Sequence, residues 1–359
     1  MFQPLVPASL AKAPAFIMPI IIARIVARTI AAVALIALTL ASQPACHIVH
    51  KPVQVEKLLT PLAEADTPQL VEQVNRLVRV QSIRAKVDIQ FEDTSFASAG
   101  IAEKYRTADG TIIAQRPGKV YLIVQGPVVV GDIAHMTSDG EHFRIAILKG
   151  DEKYKRFVRG TNSAIYSKLD SAEEQNASQS KDKRDTERQA VKALSNLRPQ
   201  HLTDAFLIRP IDARAAGILY ARSEFFQSEK DPNSNKRIVR GYYFLDELQT
   251  TADGSARLLR RFWFNRVGSI QLARLQSFDE GGALTTDVAY SDFKPIGAEG
   301  KITLPSRISL TRPQDRYQLT LTYQSPESVA LDKEYPTDVF ELPNKWNLPE
   351  VDLDAQKKP

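Results

Sequence analysis

The sequence has one cysteine, Cys46, in 359 residues. That excludes an intrachain disulfide, a CxxC redox pair and a zinc site built from several thiolates. Histidines number five, and they do not form a ligand set. His47 and His50 lie in the stretch after Cys46 and could bind a metal transiently, but a solvated linker explains them. His135 and His142 straddle Asp139-Gly140 and could face each other across a hairpin, but two imidazoles without a third ligand make a poor metal site. Both read as ordinary surface residues, and His201 as part of a helix start. The run Asp231-Pro232-Asn233-Ser234-Asn235 begins like a calcium loop. Lys236 then replaces the required glycine, and Tyr242 the bidentate glutamate. There is no G-x-S-x-G, H-E-x-x-H, Walker A or G-x-G-x-x-G motif, so no catalytic residue, metal or cofactor is expected. An uninterrupted apolar run long enough to span a bilayer is also missing.

Charge is nearly balanced. The net charge is +5, and Lys12, Arg24 and Arg28 are the charged residues before position 46; without them it is +2. So small an excess gives no case for nucleic-acid binding. Arg257, Arg260 and Arg261 beside Phe262-Trp263-Phe264 mimic a basic-aromatic nucleic-acid surface, but a strand with charged outer residues explains them.

The N-terminus is the most informative segment. Arg24 and Arg28 precede the 13-residue apolar run Thr29–Ala41, and Ser42-Gln43-Pro44-Ala45-Cys46 follows. A basic region, a short apolar core and a small residue before the cut predict a secretory signal peptide over 1–45. Met18 lies nearer the basic residues and is an alternative start to Met1. Leu40–Cys46 resembles a bacterial lipobox, with Ala45 directly before the thiol. Gln43 and Pro44 depart from that pattern. Cys46 is thus the expected lipid anchor, open to palmitate labelling, and the alternative is a chance cysteine beside an ordinary cleavage site. One acyl chain holds a membrane weakly, so stable anchoring requires more than one.

Residues 46–66 read as a lipidated tether leading into a helix. Thr67-Pro68 suits a helix start, and Leu70, Val71, Val74, Leu77 and Val78 form one apolar stripe. The period then changes to two. Ile83, Ala85, Val87, Ile89 and Phe91 alternate with polar residues, which predicts a half-buried strand. Strands follow, with Asp109-Gly110 and Asp139-Gly140 as turn signals. Residues 169–190 are a polar insertion, running into helical residues that end near Pro199 and a short helix around His201–Phe206. A second run of strands reaches Leu342. Apolar residues on both faces around Phe262-Trp263-Phe264 predict a sheet covered on both sides or a face lining a cavity. The tail 343–359 is expected to be loose.

The order is a helix, a long alternating strand, Arg116-Pro117-Gly118-Lys119 before the strand VYLIVQG, then SDGEHFRIAI, a helical insertion and a second meander. It resembles the outer-membrane lipoprotein carrier and receptor superfamily, the LolA/LolB-like fold, over roughly residues 68–342. The resemblance implies an α+β protein. A strongly curved antiparallel sheet, an unclosed β-barrel, would carry helices on its concave face. It further implies an exported lipoprotein binding or transferring an apolar ligand, a lipid or an acylated protein, at the periplasmic face of the outer membrane. Partners would be that ligand, the membrane through Cys46, and an envelope protein. The candidate cavity residues are Phe91, Leu122, Val124, Ile145, Phe262, Trp263, Leu319 and Leu321, with plain core packing as the alternative for each. The rival reading is an envelope scaffold that docks through 169–190.

Overall fold

The computed structural model describes residues 56–93, 103–104, 108–126, 131–150, 152, 155–162, 164, 199–231, 234–251 and 254–355. The expected signal peptide, Cys46, His47, His50, the expected tether up to residue 55 and the insertion 169–190 lie outside them.

One large, curved, unclosed sheet dominates. Its backbone is a meander in two runs joined through a central strand. The first run is β2 (Ser82–Asp93), β4 (Ala108–Gln115), β5 (Lys119–Gln125), β6 (Asp132–Ser138), β7 (His142–Ile147) and β8 (Arg156–Thr161). The second is β9 (Ile218–Lys230), β10 (Arg237–Thr250), β11 (Ala256–Asn265), β12 (Gln271–Phe278), β13 (Leu284–Ile296), β14 (Ile302–Arg312) and β15 (Tyr317–Tyr323). Neighbours within each run pair antiparallel, and β15 returns to β2, with Leu319 opposite Phe91 and Leu321 opposite Ile89. The strand order from one end is therefore β9 to β15, then β2, then β4 to β8. Short strands finish the sheet. β1 (Lys57–Leu58) runs parallel to β10, β3 (Glu103–Lys104) and β16 (Ala330–Leu331) pair with β2, and β17 (Glu350–Asp352) runs parallel to β8.

The period-two pattern of β2 does what it predicts. Ile83, Ala85, Val87 and Ile89 are buried while Arg84, Lys86 and Asp88 point away. Leu122, Ile145, Tyr243, Phe262, Ile308 and Leu319 join them in one continuous core. Helix α1 (Thr67–Val78) sinks Leu70 and Val74 into it, at about 1.5–3 kcal/mol for each side chain. Helix α2 (Pro199–Phe206) adds Leu202, Ala205 and Phe206. The cap of α1 is Asp66, one residue earlier than the sequence suggests. Its carboxylate accepts from Gln69 N, and the Gln69 side chain accepts from Asp66 N, so two orphan backbone donors are satisfied reciprocally.

Several sequence expectations are corrected. Asp109-Gly110 is not a turn: both residues lie inside β4. Gly110 is there because a Cβ would stand 2.5 Å from Ile89 Cδ1 and 2.8 Å from the Ile123 carbonyl. The tether reading fails from Lys57 onward, where the chain joins the sheet, and Leu62 bridges to Val267. The tail is not loose through residue 355. Leu342, Trp346 and Leu348 cover Ala146 and Phe157 on the side of β7 and β8 away from the main core. Phe157 N then donates to Pro349 O at 2.8 Å, and Leu353 N to Arg159 O at 3.0 Å. His135 is not a surface residue. It is 6% exposed, bonded to Asp132 at 2.6 Å, and tilted against Trp346 of that tail.

Candidate functional site: a cleft beside helix α1 and a strap in the core

A cleft of about 760 Å³ opens between α1 and the starts of β12 and β14. One wall is Gln69, Gln73, Arg76, Leu77, Arg79 and Val80. The other is Ser269–Leu272, Phe293 and Lys301–Thr303, with Glu64, Ala65 and Asp332 at the margins. The helix forms this wall for a simple reason. Leu70 and Val74 fix its buried stripe, so Gln69, Gln73 and Arg76, spaced by four and three residues, are carried round to the open side. The rim is polar and of mixed charge. Arg79 pairs with Glu72 at 2.6 Å and Lys301 with Glu299 at 2.5 Å, whereas Arg76 is held by the neutral Gln73.

Leu77 and Val80 also line a second, small cavity of about 30 Å³. Its other walls are Ile83, Ala205, Phe206, Ile208, Leu304, Pro305, Ile308 and the rings of Tyr290 and Tyr323. Tyr290 donates to the Ala205 carbonyl at 3.1 Å, and burial pushes both phenols far above their ordinary range, so they stay neutral donors. Leu77 and Val80 thus stand between the open cleft and an apolar interior.

That interior is filled by a strap, Leu207–Ile211, which follows α2 without joining the sheet. Leu207, Ile208 and Ile211 are buried. Their backbone is satisfied by side chains in place of strands. Arg116 donates to the carbonyls of Leu207 and Ile208 at 3.3 and 3.1 Å, and to Val80 O at 2.9 Å. Arg260, itself paired with Glu247, donates to the carbonyls of Arg209 and Pro210 at 3.0 and 3.2 Å. Asn75 of α1 clasps Ile211 twice, donating to its carbonyl at 3.0 Å and accepting its N–H at 2.9 Å. Five consecutive carbonyls are therefore held by three side chains. Asn75→Ala leaves two of these groups unmatched and is expected to cost about 1–3 kcal/mol. Urea denaturation checks this, and an unchanged midpoint would show that the clasp contributes nothing.

The Arg116-Pro117-Gly118-Lys119 and Ser138-Asp139-Gly140 segments meet here. A Cβ on Gly118 would lie 3.3 Å from Gly140 Cα, and Gly140 has φ +106, so a side chain is disfavoured at both. Asp139 closes its turn by accepting the N–H groups of Glu141 and His142 at 2.9 and 2.7 Å. The Arg116 guanidinium has its pKa lowered by burial, since its partners are neutral carbonyls.

The lead-in to the cleft is clasped as well. Arg266 is 3% exposed and bonds Glu64 at 2.7 Å, Glu224 at 2.8 Å and the Ala63 carbonyl at 3.1 Å. Tyr243 donates to Glu64 at 2.7 Å. That hydrogen bond, aided by Arg266, holds the Glu64 carboxyl below its ordinary pKa. A lowered folded-state value means the stabilisation is complete above the unfolded pKa and is lost as pH falls through the folded one. The stability gap between wild type and Glu64→Gln should therefore be full at pH 7 and close as pH drops below about 4. Thermal melts across that range decide it, and a gap independent of pH would refute the clasp.

None of the eight residues expected from the sequence lines either cavity. Leu122, Val124, Ile145, Phe262, Leu319 and Leu321 lie in the packed core, and Phe91 stacks on Tyr317 at its edge, 5.6 Å between ring centres. Trp263 is on the opposite face from Phe262 and Phe264. It packs on Phe225, Tyr242 and Phe244, and its N–H meets Gln276 at 2.9 Å. Phe262 and Trp263 therefore cannot share one cavity. The sequence reading missed Gln73, Arg76, Ile270, Phe293 and the whole strap. The available signal was the apolar run Leu207–Ile211 interrupted by Arg209 and Pro210.

No family model matches the sequence, and no curated protein matches it. Solved structures similar to it include these three. One is a DUF1329 family protein from Desulfovibrio piger, 12% identical, covering 76% of this chain and 94% of that one, with a TM-score of 0.40. Another is a LolA superfamily protein from Nitrosomonas europaea, 11% identical, covering 77% and 99%, with a TM-score of 0.38. The third is a domain assigned to outer membrane lipoprotein sorting from Vibrio parahaemolyticus, 10% identical, covering 75% and 95%, with a TM-score of 0.32. Likenesses of this size are distant, and the chain's own residues carry the functional reading.

Proposed function

We propose that the chain is an exported lipoprotein, anchored through Cys46 at the periplasmic face of the outer membrane. It takes an apolar chain, from a lipid or an acylated protein, into the cleft beside α1. Its two α-helices among the described residues, α1 and α2, lie on the concave face of the sheet. The observation that carries this reading is the sharing of Leu77 and Val80 between a polar-rimmed cleft and an apolar interior. The cleft volume falls in the range of small-molecule sites. Each methylene that enters gains about 0.8 kcal/mol by leaving water. The head stays at the rim, where Arg76 suits an anionic group. No bond is made or broken, and binding is the whole activity.

The strap supplies the means of exchange. Leu207, Ile208 and Ile211 occupy apolar space that a ligand could fill instead, and their hydrogen bonds come from side chains that can let go. On this reading Leu122, Val124, Ile145, Phe262, Leu319 and Leu321 meet ligand only when the strap leaves the core. Native mass spectra of the full chain before and after organic extraction test the proposal. A covalent anchor on Cys46 survives extraction, whereas a bound lipid does not. The expected result is an additional lipid-sized mass lost on extraction. A protein with no extractable mass, unchanged after mixing with phosphatidylglycerol vesicles, would overturn it.

A further inference from the structure

β9 ends the sheet: among the described residues it pairs with β10 and leaves its other edge open. It is 13 residues long, with an unbroken register against β10 from Ile218 to Lys230 and no proline. Residues from Ala221 to Phe226 are all exposed, Phe225 at 38% and Phe226 at 47%. A long, regular edge of this kind is a template for another strand, and proteins that avoid pairing blunt such edges with a bulge, a proline or charged side chains. β9 has no bulge and no proline, and its charges, Arg222, Glu224, Glu229 and Lys230, are of both signs and balance.

From this edge we infer that β9 pairs antiparallel with β9 of a second copy, about a two-fold axis at Ser223, so that the two sheets become continuous. The sequence of the strand selects that partner and register. A two-fold normal to the sheet keeps side chains on their own face, so it must lie midway between one residue and that residue's own copy. Centred on Ser223, it sets Arg222 opposite the partner's Glu224, and Glu224 opposite the partner's Arg222. The same register sets Tyr220 against Phe226, and Ala221 against Phe225, a small residue beside a large one. Moving the axis to Arg222 or Glu224 puts like charges face to face, and moving it to Phe226 puts Arg222 against Lys230. At Phe225 neither charge meets its opposite, and at Gln227 Glu224 meets Lys230 but Arg222 falls outside the paired stretch, which shrinks to residues 224–230 from 218–228. Opposite charges directly across a strand pair stabilise and like charges destabilise. Arg222 and Glu224 already have partners within the chain, the Ala65 carbonyl and Arg266, but both residues remain exposed and can reach a neighbour.

Sedimentation velocity on the full chain should show a dimer. Arg222→Glu and Glu224→Arg should each weaken self-association by about tenfold, since each sets two like-charged pairs across the seam. Mixed together, the two variants should form a heterodimer, because two acidic side chains of one copy then face two basic side chains of the other. Circular dichroism confirms that each is folded. A second test avoids altering these charges. In the full chain carrying Cys46→Ser, Ser223→Cys should cross-link through a short bifunctional thiol reagent. Ser228→Cys should not, because its copies stand roughly 33 Å apart in this register. A wild type that stays monomeric at high concentration overturns the inference. So do single variants that self-associate like wild type, or Ser228→Cys cross-linking as readily as Ser223→Cys.

Discussion

Arg116→Leu is expected to destabilise the protein by about 3 kcal/mol and to free the strap from the core. The arginine gives hydrogen bonds to three carbonyls, Val80, Leu207 and Ile208, which link the end of α1 to the end of α2. Leucine fills part of the volume and supplies no donor. A buried acceptor left unmatched costs about 1–3 kcal/mol. Three of them would exceed the estimate, but leucine also removes the cost of burying a guanidinium without a carboxylate beside it. Arg116→Lys should recover little, because one ammonium cannot reproduce a planar fork aimed at three oxygens. Urea denaturation gives the stability, and amide exchange gives its location. Faster exchange confined to Leu207–Ile211 and the end of α1 is the expected pattern. An equal loss of protection throughout would mean that Arg116 supports the sheet and not the strap.

Leu77→Trp should reduce lipid binding by tenfold or more while leaving the fold intact. Leu77 lines both the cleft and the apolar cavity behind it. It is half-buried and sits near the C-terminal end of α1, so the indole has room to turn into the cleft. Tenfold corresponds to about 1.4 kcal/mol, less than the burial of two methylenes. Titration with a fluorescent fatty acid reads the affinity, and a melt checks the fold. A folded Leu77→Trp protein that binds like wild type would remove Leu77 from the path. Trp263→Arg is the matching control. Trp263 lies on the other face among Phe225, Tyr242 and Phe244, so its replacement should lower stability without changing affinity at the cleft.

Where the sequence reading held, a one-dimensional pattern had a local cause. β2 alternates because one face is buried, and α1 repeats Leu70, Val74 and Leu77 because one stripe is. Where it failed, the cause was distant in sequence. Gly110 looks like half of a turn and is instead the space that Ile89 needs. Trp346 and Leu348 look like part of a loose, proline-rich tail, and with Leu342 they cover Ala146 and Phe157, nearly 200 residues earlier in the chain. Phe262 and Trp263 are adjacent, and both looked like cavity residues, yet the pleat sends them to opposite faces.

The sequence by itself determined the class of fold, an antiparallel sheet with few helices, because strand periodicity and turn chemistry are written within a few residues. It also determined what chemistry to expect least, through one cysteine and five scattered histidines. Only the tertiary structure decided where a cleft opens. The cleft is made by α1 meeting the starts of β12 and β14, some 200 residues away, and its inner boundary by Leu77 and Val80 meeting Ile208 and Tyr290. The role of Arg116 was hidden for the same reason. Its partners are backbone carbonyls, which every residue carries, so no pattern of side chains marks them. Their position is set by the folding of the strap against the sheet.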